Sequence, residues 1–126
     1  MHALSAAGAT AEEIAAGLKL NIGAGKALKP GYVNIDIVPG EGILEADVTK
    51  LIPAPNESAS LVEATRLPSL VGSNAGFAKE AFRVLKPGGE VSLTAVGGFG
   101  PAAVKAFEEA GFKDVQVAGY GLKATK

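Results

Sequence analysis

The chain has no cysteine and no tryptophan, and its single histidine is His2. The lack of cysteine excludes disulfides, thiolate zinc sites and thiol nucleophiles, and it fits a reducing cytoplasm. Aromatics make up only 6% of the 126 residues, so the core must rest on leucine, isoleucine, valine and alanine. Charge of one sign is also missing: the net charge is -1, with no dense Lys/Arg run. A protein that binds duplex DNA non-specifically normally carries a basic face, so that class is set aside. No apolar run approaches the roughly 18 residues a spanning helix needs, and no membrane partner is expected. The N-terminal MHALSAAGATAEEIAAG has no basic start and is interrupted by Glu12 and Glu13, unlike a secretory signal. No His/Asp/Glu cluster has ligand spacing, so no metal is expected.

What is present describes a folded α/β domain. The hydrophobic fraction is 48% and the charged fraction 20%, in the range of globular chains, and the length suits one domain over residues 1–126. Thr10-Ala-Glu-Glu13 has capping-box spacing and predicts a first helix ending near Gly17. Leu18, Leu20 and Ile22 alternate as in a strand. Further strands are expected at Tyr32–Val38, Ile43–Val48, Ser60–Thr65, Glu90–Val96, Val115–Val117 and Leu122–Thr125. From Asn74 the spacing turns helical, with Phe77, Ala81 and Leu85 on one face, and Pro87-Gly88-Gly89 is the expected stop. Pro101 and Gly111 bracket a last helix. Strands alternating with helices imply a mostly parallel sheet, with the final short strand antiparallel because a tight turn precedes it.

Open α/β sheets bind ligands beyond the carboxyl ends of their strands, where Gly23-Ala24-Gly25 is expected. A glycine turn alone fits a ligand cradle and an empty tight turn equally well. Its spacing says more. A dinucleotide fingerprint asks for a third glycine, a full helix and an acid about 20 residues on. Here Leu28 occupies the third glycine position, Pro30-Gly31 cuts the connection, and Asp36 follows Gly25 by only eleven residues. Pyrophosphate loses the helix N-terminus that would hold it, and a ligand with ribose and adenine but no phosphates fits better. A nicotinamide-dependent oxidoreductase is the disfavoured alternative.

The pieces LNIGAGKALKPGYVNIDI (20–37), ILEADVTKL (43–51), SLVEAT (60–65), FRVLKPGGEVSLT (82–94) and EEAGFKDVQV (108–117) occur in one order along the chain. Taken together the sequence resembles a small class I S-adenosylmethionine-dependent methyltransferase. The resemblance implies a three-layer α/β/α Rossmann-like methyltransferase fold and S-adenosylmethionine as cofactor, with S-adenosylhomocysteine as product. It implies Gly23, Ala24 and Gly25 against the methionine part, Asp36 accepting from both ribose hydroxyls, and Ile37 on the adenine face. Asp47 would accept from the adenine amino group beside the Val48 amide, and Glu63 and Ala64 would face cofactor and acceptor. Glu63 is the only carboxylate nominated as a catalytic base.

Each residue also has a plainer role open to it. Asp36 could cap a loop, Asp47 form a turn, Glu63 sit solvated at a strand end, Arg66 make a surface pair and His2 do nothing. The acceptor region RLPSLVGSNAG has no His, Tyr or Trp. That sparseness fits a large acceptor closing the site, a homodimer partner supplying the missing wall, or a non-catalytic cofactor-binding module. The acceptor itself, whether small molecule, protein or RNA, is not named by the sequence.

Overall fold

A computed structural model of the chain describes residues 16–126. The helix expected after Thr10 lies outside the described residues, apart from its last position. Among the described residues seven strands form one sheet: β1 (Leu18–Ile22), β2 (Val33–Asp36), β3 (Leu44–Glu45), β4 (Ala59–Leu67), β5 (Leu85–Ala95), β6 (Lys113–Ala118) and β7 (Gly121–Thr125). Their order across the sheet is β3-β2-β1-β4-β5-β7-β6. The first five strands pair in parallel, and β7 runs antiparallel between β5 and β6. The chain therefore leaves β1 in one direction toward β2 and β3 and returns on the other side through β4, which makes a switch point at the carboxyl ends of β1 and β4. This is the Rossmann-like methyltransferase fold with mostly parallel strands.

The two faces of the sheet differ, as the sequence alternation dictates. Leu20, Val62, Val91 and Ala124 stand side by side in register and are buried. The neighbouring row on the opposite face reads Asn34, Asn21, Glu63, Ser92 and Lys123. The apolar face is covered by helices α2 (Ala75–Val84) and α3 (Pro101–Ala110); the four-residue α1 (Ser69–Gly72) precedes them. Phe77 of α2 meets Phe107 of α3 edge to face, with centroids 6.2 Å apart. Phe112 extends the cluster to Phe107 and Phe82, both at 5.3 Å. Four of the five phenylalanines are thus concentrated where two helices meet, and Phe99 lies outside the cluster.

Capping explains the helix bounds. Asn74 accepts the Phe77 N–H at 3.0 Å and starts α2. Pro101 opens α3, and Gly111 closes it at φ 114°, a conformation that favours glycine. α2 stops at Val84, before the Pro87-Gly88-Gly89 expected to end it, and Leu85 to Ala95 forms one strand. The cause is remote: Glu57 and Ser58 donate their N–H groups to the carbonyls of Arg83 and Val84, and Leu85 turns extended into the core. β2 and β3 are shorter than expected because Asp36 and Asp47 turn the chain, while β4 runs on through Arg66 to Leu67, which pairs with Ala95.

The loop after β3 is fastened to α2 twice. Gly76 lies so close to it that a Cβ there would stand 2.3 Å from the Thr49 carbonyl oxygen. Alanine would gain about 1 kcal/mol of helix propensity over glycine, but a backbone oxygen cannot move aside as a side chain can. Gly76→Ala is therefore expected to destabilise the protein by about 1–3 kcal/mol, read as a lower denaturant midpoint at unchanged slope. The second fastening is a bidentate pair. Glu80 accepts from Arg83 Nε at 2.9 Å and Nη2 at 2.8 Å, and from the Ile52 N–H at 2.8 Å. Arg83 also donates to the carbonyls of Ile52 and Ala54. The hydrogen bonds from Arg83 are the main reason the Glu80 carboxyl is held below its ordinary value. A carboxylate depressed in the fold adds stability above the unfolded-state pKa, about 4.3, and loses it as pH falls through the folded value. Glu80→Gln should flatten that acid limb of the stability-against-pH curve, measured by denaturation from pH 6 to pH 3.

Candidate functional site

Four strand ends converge on one cavity of about 200 Å³. Ile22 ends β1 and Gly23 follows it, Asp36 ends β2 and Ile37 follows it, Asp47 and Val48 follow β3, and Arg66, Leu67, Pro68 and Val71 close the side at β4 and α1. The volume lies below the ~300–1,000 Å³ of a drug-sized site, so a cofactor-sized ligand would extend beyond it. A second cavity adjoins, lined by Gly25, Lys26, Leu28, Asp36 and Val38 among others. Asp36 belongs to both.

The glycine turn is built for this position. Gly23 and Gly25 have φ 66° and 51°, and a Cβ on Gly23 would meet nothing within 4 Å. The backbone there is bare and open to approach. The turn is tied to β2: Ala24 donates its N–H to the Ile35 carbonyl at 3.0 Å, and Gly25 donates to Asp36 Oδ2 at 2.7 Å. Behind it the connection to β2 contains no helix. Two buried amides hold it instead. Asn21 donates to Asn34 Oδ1 at 2.8 Å and to the Ala27 carbonyl, while Asn34 exchanges hydrogen bonds with the Lys29 backbone. Sequence reading passed over this pair, although two asparagines inside apolar strands are a legible oddity, since buried amides must find partners.

Asp36 Oδ1 accepts from the Val38 N–H at 3.0 Å, so each carboxylate oxygen already holds one backbone donor. A carboxylate has about four lone-pair sites, which leaves two for a ligand. Ile37 is 61% exposed and Val48 8% exposed, giving the cavity an apolar flank. Asp47 is both turn former and cavity residue. Its Oδ1 accepts from the Thr49 hydroxyl at 2.6 Å and N–H at 3.1 Å, which holds its carboxyl below the usual range, with help from Lys50. Its Oδ2 has no such bond among the described residues.

The remaining sequence-predicted residues lie apart. Ala24 is buried and offers only backbone. Ala64 is in the core under the sheet, opposite Leu93. Glu63 does not line the cavity: it lies mid-strand on the polar face, opposite Asn21, and is ion-paired with Lys29. Strand alternation decides this, because Glu63 and the inward-facing Val62 and Ala64 must point to opposite faces. Arg66, expected to make a surface pair, lines the cavity instead. Among the described residues no three His, Cys, Asp or Glu side chains could hold a metal, and no helix is long and apolar enough to cross a membrane.

No protein-family model and no curated protein sequence matches the chain. Solved structures do. The antibiotic-resistance methyltransferase Kmr superposes with a TM-score of 0.62 at 15% identity, over 96% of this chain and 89% of that one. A SAM-dependent methyltransferase of Thermotoga maritima gives 0.67 at 15%, over 87% and 82%. The methyltransferase CalH, in complex with S-adenosylhomocysteine, gives 0.58 at 14%, over 86% of this chain and 50% of that one. At such identities the likeness establishes the fold, a seven-stranded class I methyltransferase sheet.

Proposed function

We propose that the chain binds S-adenosylmethionine across the carboxyl ends of β1 to β4 and transfers its methyl group to a nucleophilic acceptor. One observation carries the reading: Asp36, Ile37, Asp47 and Val48, from two different strand ends, meet in one cavity at the switch point of a methyltransferase-like sheet. The residues fit the cofactor chemically. Asp36 has acceptor capacity left for ribose hydroxyls, Ile37 and Val48 offer an apolar flank for a purine, and Asp47 Oδ2 remains for an exocyclic amine. The open backbone at Gly23 suits the chain that leads away from the ribose. A dinucleotide is disfavoured because the connection after the glycine turn has no helix to hold a pyrophosphate.

The sulfonium of this cofactor is an activated methyl donor. The protein's share is then to bind, to exclude water and to hold an acceptor within attack distance. Glu63, committed to Lys29, is not assigned as a base. An acceptor that is already nucleophilic at neutral pH, such as a neutral heteroaromatic nitrogen or a thiolate, needs none. That same lack favours a second reading, a non-catalytic module that binds the cofactor.

Methyl-labelled S-adenosylmethionine incubated with the protein and pools of small molecules, proteins and RNA separates the two. Label recovered in an acceptor, with S-adenosylhomocysteine formed, supports transfer. Cofactor binding with no label in any pool supports the second reading.

A further inference from the structure

The chain has two arginines, and they are used differently. Arg83 is engaged by Glu80, Asn56 and two backbone carbonyls. Arg66 makes no hydrogen bond or ion pair among the described residues, yet it lines the cavity. It is exposed, at the end of β4, and Leu67, Pro68 and Val71 form an apolar wall beside it. Asp36 and Asp47 line the same cavity, but neither comes within ion-pair distance of it: Asp36 is held by the Gly25 and Val38 N–H groups, and Asp47 by Thr49 through Oδ1. The cavity therefore presents carboxylates from β2 and β3 and an uncommitted guanidinium from β4. Carboxylates suit hydroxyl and amine donors. A guanidinium fork suits a carboxylate or phosphate, which it can hold by two parallel hydrogen bonds. Left unpaired, Arg66 would repel a cationic sulfonium; an anion bound between them removes that conflict.

We propose that Arg66 is an anion-recognition residue, clamping a carboxylate or phosphate group of whatever occupies this cavity. The anion has two available sources: the amino-acid carboxylate of an S-adenosylmethionine-type cofactor, or an anionic group on the methyl acceptor. The proposal rests on the cofactor reading above for the first source and is independent of it for the second.

The test compares the wild type with Arg66→Gln by calorimetry. Each is titrated with S-adenosylhomocysteine and with 5′-methylthioadenosine, which keeps the nucleoside and thioether but lacks the carboxylate. Each is then titrated with benzoate, phenyl phosphate and uncharged benzamide, both alone and saturated with S-adenosylhomocysteine. If the cofactor supplies the anion, the variant binds S-adenosylhomocysteine about 10-fold or more weakly, the scale of a charged hydrogen bond, while methylthioadenosine is unchanged. If the acceptor supplies it, the nucleosides are unchanged, and the wild type binds benzoate or phenyl phosphate in preference to benzamide, a preference lost in the variant. Arg66→Lys should keep part of either effect. Equal affinities for every probe in wild type and variant, or equal losses for both nucleosides with no anion preference, overturn the proposal. A wild type that binds neither nucleoside sinks the cofactor reading instead, and the anion titrations on the free protein still decide the role of Arg66.

Discussion

Phe107→Ala is expected to lower the unfolding free energy by about 3–5 kcal/mol, and the melting temperature by roughly 10–20 °C. Phe107 has 0% exposure and touches both Phe77 and Phe112, so it joins the two helices over the apolar face of the sheet. Its loss removes the buried ring area and leaves a void that its neighbours can fill only in part. The size of the effect follows from the sequence having so few aromatics: most of its ring packing is spent at this one junction. Domains of this size are stable by only about 5–15 kcal/mol, so the variant should be close to the limit of folding. Leu70→Ala, at a side chain 85% exposed, is the matched control and should change stability by less than about 0.5 kcal/mol. Thermal melts of the two variants check both values; a Phe107 variant as stable as the wild type would mean the helices do not pack as described.

The second large effect is on binding. Asp36→Ala should weaken S-adenosylhomocysteine binding by about 1.5–3 kcal/mol, the range for hydrogen bonds to a charged group, or about 10- to 150-fold. Asp36 acts twice. In the proposed site it would offer lone pairs to the ribose, and it holds the glycine turn by accepting from Gly25. Asp36→Asn retains one oxygen for the turn but loses the charge, and should fall between wild type and alanine. Asp47→Ala should cost less than Asp36→Ala, because the neighbouring backbone still faces the cavity. Titration calorimetry on the folded variants, with unchanged melts as the folding control, gives the order. A folded Asp36→Ala protein with wild-type affinity would remove the proposed ribose contact.

Where local chemistry decides the structure, the sequence was a good guide. Leu18, Leu20 and Ile22 alternate because β1 has one buried face, and Pro101 and Gly111 bound α3 because each suits only its own end of a helix. The eleven-residue step from Gly25 to Asp36 is legible for the same reason: the turn and the strand end it reaches are joined by a direct hydrogen bond. Features set by distant partners were not legible. α2 ends at Val84 because Glu57 and Ser58 cap it from another loop. β4 carries Arg66 to the cavity because Leu67 pairs with Ala95. Glu63 turns to the polar face and meets Lys29, which reaches across from the connection after β1. Asp47 could be read as a turn former or as a ligand contact; the fold makes it a turn former that also lines the cavity, since the turn it makes with Thr49 is what brings it there.

The central claim is that the carboxyl edge of β1 to β4 is a nucleoside–sulfonium site and not a dinucleotide site. Calorimetric titration of the purified protein with S-adenosylhomocysteine, with NADH run in parallel, tests it most directly. The account predicts saturable micromolar binding of S-adenosylhomocysteine, weakened by Asp36→Ala, and none of NADH. Binding of NADH alone would contradict it, because the helix-less glycine turn would then be holding the pyrophosphate it lacks the means to hold.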